Sequence, residues 1–253
     1  MDDASDTRKM APEAARALRP GDDHYTAFVG PPAQYDFMGA TQFRLLTALG
    51  LRSHHRVLDF GCGSLRAGRL LIPYLDRGGY HGVEPNRWLV EEAIEREVGR
   101  DLVRIKAPRF DDNDAFRADV FGQSFDFIVA QSIFSHTSAD LVVPALRNFA
   151  SVLAPGGLVC CTFVAAPASE RERHKPGWTY PQCVRFTDEE VGAFFAEAGL
   201  RRLRLDWYHP RQVWYLGARD AADLPSGDDL RHLTGAVSRA PEFAASLAIG
   251  RTP

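Results

Sequence analysis

Four residues combine side-chain type and spacing in a way that could do chemistry: Asp59, Gly61, Gly63 and Glu84. In VLDFGCGSLRAGRLL (Val57–Leu71) an apolar run broken by an acid enters two glycines and then a helical pattern. Gly61 permits a tight turn, and Gly63 lets backbone approach a ligand closely. Asp59 stands two residues before the first glycine, and Glu84 closes the next apolar run, YHGVE, 23 residues after Gly61. A carboxylate at that place can accept hydrogen bonds from both hydroxyls of a ribose.

Two ligands compete for this pattern. A nicotinamide dinucleotide site wants G-x-G-x-x-G, but the third glycine position holds Arg66. A pyrophosphate also gains nothing from Asp59, whereas an adenosyl ligand bearing an ammonium group is attracted to it. Glu84 alone does not separate the two.

The elements around these residues alternate. RVLDF, YHGVE, FDFIVAQ (Phe125–Gln131) and LVCCTFV (Leu158–Val164) read as buried strands. Helices are expected over Thr41–Leu49, over Leu65–Ile72 with a stop near Pro73, from a cap at Asn86 to Gly99, and over about Asp140–Leu153. Thr187 and Glu190 form a capping box for a helix that Gly199 ends. RRLRLDW and QVWYLGAR make a closing hairpin around YHP. Apolar strands alternating with helices imply an α/β fold with a doubly wound, mostly parallel sheet covered on both faces. Between Asp101 and Val120 a strand is needed but the pattern is poor. Residues 1–20 are expected to be loosely ordered, and His24–Gly39, with Pro31–Pro32, reads as an irregular aromatic arm.

VLDFGCG, GVEP, GQSFDFIVAQSIFSH and LAPGGLVCCTF, in that order, resemble the class I S-adenosylmethionine-dependent methyltransferases, a Rossmann-like family, over about Thr41–Arg219. The resemblance implies a seven-stranded sheet with an antiparallel last strand and S-adenosyl-L-methionine as cofactor. It divides the chain into an arm and possible lid (1–40), the methyltransferase domain (41–219) and a C-terminal extension (220–253). It implies that Asp59 and the Gly61–Cys62–Gly63 backbone hold the methionyl end. Glu84 would bind the ribose, with Pro85 along the adenine. Asp114, 12 residues before Asp126, would meet the adenine amine, with Asn113 as the alternative register. Gln131 would border the methionyl group and the transferred methyl. Asp126 reads as a structural turn residue.

Methyl transfer from a sulfonium is an in-line displacement with an activated donor. Positioning alone can remove about 7–11 kcal/mol of barrier, so no loud catalytic motif is required. A hydroxyl acceptor profits from a base. His136, after the fourth strand, and Tyr35, in the arm, are the candidates; each could instead be structural. Tyr25, Tyr208 and His209 are weaker ones. RERHK (Arg171–Lys175) with Trp178 and Tyr180 could recognise an acceptor or form a solvated loop, and Arg66 and Arg69 could assist. The reading is therefore an enzyme acting on a small molecule, with a sugar or secondary metabolite methylated on oxygen as the acceptor class. A protein or nucleic-acid methyltransferase, and a non-catalytic subunit that keeps the fold, are the alternatives.

The net charge of −3 and the lack of a basic stripe or NPPY-type motif argue against nucleic acid. No apolar run approaches 18 residues, and the acidic N-terminus is unlike a signal peptide, so no membrane partner and a cytoplasmic location are expected. The four cysteines form no CxxC pair, and no carboxylate cluster suggests a metal. A monomer or homodimer is expected.

Overall fold

The computed structural model describes residues 11–168 and 175–235. The chain forms two compact units: Met1–Val129 with Val152–Ala154, and Ala130–Ser151 with Pro155–Pro253.

The first unit opens with a short helix, α1 (Pro12–Arg16), and a run of turns. Pro31 and Pro32 lie at the start of a 3-10 turn, where a missing N–H costs nothing. Helix α2 (Tyr35–Ala48) therefore begins at Tyr35, six residues before the expected Thr41. Strand β1 (Val57–Phe60) is buried throughout. Helix α3 (Gly68–Tyr74) starts later than Leu65, because Leu65 lies at φ 54°, outside helical space. It also carries Pro73 inside its last turn. Strand β2 (Tyr80–Val83) leads to α4 (Arg87–Ala93), which continues as a π turn to Val98. Asn86 precedes α4 without capping it through its side chain, which is drawn instead to Glu84. The ion pair of Glu92 with Arg96, one helical turn apart, is present at 2.6 Å.

In the stretch that was illegible, α5 (Arg100–Lys106) precedes a three-residue strand, β3 (Arg109–Asp111). Strand β4 is Phe125–Ala130. The order β3-β2-β1-β4 is parallel throughout, with Leu58 opposite His81 and Ile128. Strands β1 and β2 are buried at every position and β4 at all but Asp126, which is why these strands read as near-continuous apolar runs.

The second unit holds most of α6 (Ala139–Val152) and of β5 (Leu153–Ala165), then the two-residue β6 (Arg185–Phe186) parallel to β5. Helix α7 (Asp188–Glu197) has the expected capping box: Thr187 N donates to Glu190 Oε2 at 2.8 Å, and Glu190 N donates to Thr187 Oγ1 at 3.2 Å. Strands β7 (Arg201–Leu205) and β8 (Val213–Ala218) pair antiparallel, and β8 is antiparallel to β5. Parallel pairs prevail, with antiparallel strands late in the chain, as the α/β reading requires. Phe134 stacks on Phe163 at 5.0 Å in a core shared with Phe149 and Phe195. Of the C-terminal extension, α8 (Asp228–His232) is followed by Thr234, whose carbonyl accepts from Tyr208 N at 3.1 Å; residues 236–253 lie outside the described residues. No helix among the described residues is long and apolar enough to cross a membrane.

Thr187→Ala removes one side of the capping box and should cost about 1 kcal/mol. Urea unfolding should show a lower midpoint at an unchanged slope. An unaltered midpoint would mean that α7 is held by packing alone.

Candidate active site

Gly61 and Gly63 lie at φ 74° and 53°, in left-handed space that only glycine enters at no cost. The loop they make is pinned from beneath. Gly61 N and Cys62 N both donate to the Val83 carbonyl, at 2.8 and 3.0 Å. Gly63 N donates to Glu84 Oε2 at 3.0 Å. The other oxygen of Glu84 accepts from Asn86 N at 2.9 Å and from Asn86 Nδ2 at 2.8 Å. Burial pushes the Glu84 carboxyl up, and these three donors pull it back toward ionisation.

Asp59 is buried in β1 and accepts a hydrogen bond from the Tyr80 hydroxyl at 2.8 Å. Burial pushes its carboxyl up to about 6; the Tyr80 bond and the Arg66 charge oppose the shift, and the Glu84 charge adds to it. A cation brought beside this pair of acids would relieve both. Cys62 is buried, and burial with the two nearby acids raises its thiol well above the ordinary range, so it is a neutral packing group.

The aromatic arm sits on this loop. The Val29 carbonyl accepts from Arg66 Nη1 at 2.9 Å, and a Cβ on Gly63 would come within 2.5 Å of Val29 Cγ1. Tyr35 is buried; its hydroxyl donates to the Ser64 carbonyl at 2.6 Å. Burial raises its pKa, so it stays protonated. Tyr25 donates to Glu97 at 2.7 Å, and Phe28 meets Trp88 edge-on at 5.5 Å. Arg69 joins Asp36 at 2.5 Å to Glu97 at 3.3 Å.

The second unit holds Gln131, buried, with neither Nε2 nor Oε1 hydrogen-bonded. His136 Nδ1 lies 2.8 Å from the Gln182 carbonyl. Its ring faces Tyr180 at 4.9 Å and Trp178 at 5.8 Å. Burial lowers its pKa, and the bond to Gln182 only partly offsets this.

Asp59, Gly61, Cys62, Gly63 and Glu84 thus form one connected cluster, with Tyr35 braced against it through Ser64. Pro85 and Asp114 are exposed. Asn113, the alternative to Asp114, is tied in place by bonds to Asp111 and to the Arg117 carbonyl. Asp126, expected in a turn, lies in β4 and accepts from Arg56 N at 2.7 Å. Of RERHK, residues 171–174 lie outside the described residues. Sequence reasoning missed Tyr80, Asn86, Ser132, Gln212 and Trp214. For Tyr80 the available signal was a hydroxyl in a buried strand beside an acid-bearing one. Among the described residues, no group of three or more His, Cys, Asp or Glu side chains could hold a metal ion.

The sequence profile of a methyltransferase domain matches residues 58–159. An uncharacterized methyltransferase of Schizosaccharomyces pombe is 29% identical over 109 residues, 42% of this chain; the match spans only 38% of that relative's length. Among solved structures, magnesium protoporphyrin IX methyltransferase from Synechocystis, with bound SAM, superposes with a TM-score of 0.54 at 16% identity. It covers 87% of this chain and 100% of its own. A sugar N-methyltransferase from Streptoalloteichus gives 0.53 at 19% identity, over 73% of this chain and 88% of its own. At such identities these likenesses carry the fold.

The buried acid gives a pH-dependent prediction. A carboxyl raised from 3.8 to about 6 takes up a proton on folding between those values, so its contribution to stability falls as pH rises through that window. Asp59→Asn keeps an acceptor for Tyr80 without the charge. It should raise the melting temperature at pH 7.5, and the gain should shrink toward pH 4. A lower melting temperature at pH 7.5 would show that the ionised acid is compensated within the fold.

Proposed function

We propose that the protein is a class I S-adenosylmethionine-dependent methyltransferase that methylates an oxygen of a small molecule, a sugar or secondary metabolite. The residues suit the cofactor. Glu84 follows β2 and sets a carboxylate beside the glycine loop, and its two oxygens offer about four lone-pair sites. Three are taken; rotating the exposed Asn86 amide away leaves two for the ribose hydroxyls. On this reading Asp59 meets the ammonium and Gly61–Gly63 backs the methionyl end. Pro85 and Asp114 flank the adenine. The arm, seated on Gly63 through Val29, lifts to admit the ligand and then excludes water.

Bound S-adenosylmethionine supplies a methyl group on positively charged sulfur, already activated for displacement. The observation that carries the oxygen reading is the hydrogen bond between His136 Nδ1 and the Gln182 carbonyl. A carbonyl only accepts, so Nδ1 holds the proton and Nε2 keeps its lone pair. The lowered pKa leaves the ring neutral at physiological pH, ready to take a hydroxyl proton. Tyr180 and Trp178 supply an apolar flank. Tyr35, protonated and committed to Ser64, acts as a brace for the loop. The sugar N-methyltransferase that shares the fold acts on an acceptor of the proposed size class.

Glu84→Ala should weaken S-adenosylhomocysteine binding by at least about tenfold, since each charge-assisted bond is worth roughly 1.5–3 kcal/mol. Calorimetry checks this, and unchanged affinity would put the ribose elsewhere.

Labelled methyl transfer to a panel of neutral glycosides and phenols tests the function. Transfer should rise with pH through a value below 6.5 and then level off, because a lowered histidine pKa sets the limb. His136→Gln should cut kcat by about 10²–10⁴-fold and abolish that limb, leaving S-adenosylhomocysteine affinity within about twofold. Transfer only to protein or nucleic acid would overturn the small-molecule reading.

A further inference from the structure

The second unit contains a cluster of uncharged polar groups whose hydrogen-bonding capacity is unfilled. Ser132 follows β4 at φ 63°, strained for a residue with a Cβ. Its N–H donates to Thr162 Oγ1 at 2.8 Å, and its hydroxyl accepts from Gln212 Nε2 at 3.0 Å. Thr162 on β5 is directly opposite Trp214 on β8, so the two side chains share a sheet face. Gln212 precedes Trp214 by two residues and continues that face. His209 is fixed nearby, its ring 6.4 Å from Trp214 and its Nδ1 accepting from Arg211 N and Gln212 N at 3.1 and 3.0 Å.

Gln212 Oε1 and Trp214 Nε1 are buried without a hydrogen-bond partner, and so are both polar atoms of Gln131, the residue before Ser132. Gln131 is 6% exposed and Trp214 is fully buried. A buried polar atom left unpaired is costly, so four in three residues mark a place that expects an occupant. The orphans are two acceptors and two donors, and none carries charge. A hydroxyl, which donates and accepts through one atom, matches that set; a carboxylate or phosphate would face two acceptor oxygens, and an ammonium two N–H groups.

We propose that Gln131, Gln212 and Trp214, with Gln212 set in place by Ser132, form a neutral subsite that recognises a hydroxyl group of the acceptor. This rests on the methyltransferase reading and narrows it: the acceptor is an uncharged polyol, and Gln212 and Trp214 are specificity residues.

The test uses the full chain saturated with S-adenosylhomocysteine and three probes: methyl α-D-glucopyranoside, D-glucuronate and catechol. Binding is followed by saturation-transfer NMR, and S-adenosylhomocysteine affinity by calorimetry. The neutral glycoside should bind in preference to the other two. Gln212→Leu and Trp214→Phe should each raise its dissociation constant at least fivefold, with S-adenosylhomocysteine affinity within twofold of wild type. Trp214→Phe removes only the N–H and part of the ring, so it carries the test if Gln212→Leu fails to fold. Glycoside binding that is absent, or insensitive to both substitutions, would overturn the subsite; with a lower melting temperature in the variants, the cluster would be one that holds buried water. Preference for glucuronate would overturn the uncharged class, and preference for catechol would overturn the polyol. Failure of wild-type protein to bind S-adenosylhomocysteine would instead overturn the reading on which the subsite rests, and the subsite with it.

Discussion

The first unit depends on one buried carboxylate. Glu84 accepts from the Gly63 N–H of the glycine loop and from both the backbone and side chain of Asn86, while its own N–H donates to the Asp111 carbonyl at 3.0 Å. One residue thereby ties the end of β2 to the loop after β1, to the residue before α4 and to the end of β3. A carboxylate taken out of water is costly unless hydrogen-bonded, and the three N–H donors are what make its burial tolerable. They also fix the direction in which the bare backbone of Gly61–Gly63 faces. The loop is therefore set before any ligand arrives, which lowers the ordering cost of binding.

The two units differ in their electrostatics. The first concentrates acid: Asp59 and Glu84 are both buried and both raised by burial. Such an arrangement favours a ligand that brings positive charge and hydroxyls. The polar groups singled out in the second are two amides, an indole, hydroxyls and a neutral imidazole. Such groups read hydrogen-bond direction rather than charge, and they suit a base that must stay neutral until it takes a proton. On the proposed reading, a cationic donor and a neutral acceptor would find matching chemistry in different parts of the chain.

Legibility followed local signals. Strands β1, β2, β4 and β5 were visible because burial leaves them near-continuous apolar runs. The Thr187–Glu190 box was visible because capping is decided within four residues. Strand β3 was not: three residues with an exposed Arg109 leave no periodicity to read. The start of α2 was misplaced because Pro31–Pro32 looked like a bar to helix, when they only precede one. Asp59, Gly61, Gly63 and Glu84 were found through spacing. The contacts of Val29 with the loop, and the meeting of Gln212, Ser132 and Trp214, join residues far apart in the chain and have no spacing to betray them. Asn86 shows the limit of local rules, since a nearby carboxylate outbid the helix end for its amide.

The most direct test of this account is a crystal structure of the full chain with S-adenosylhomocysteine. Both ribose hydroxyls should lie within hydrogen-bond distance of Glu84, with the Asn86 amide rotated away from that carboxylate and Gly63 N still bonded to it. A ligand bound elsewhere, or a Glu84 that keeps all three protein donors and touches no ribose oxygen, would contradict it.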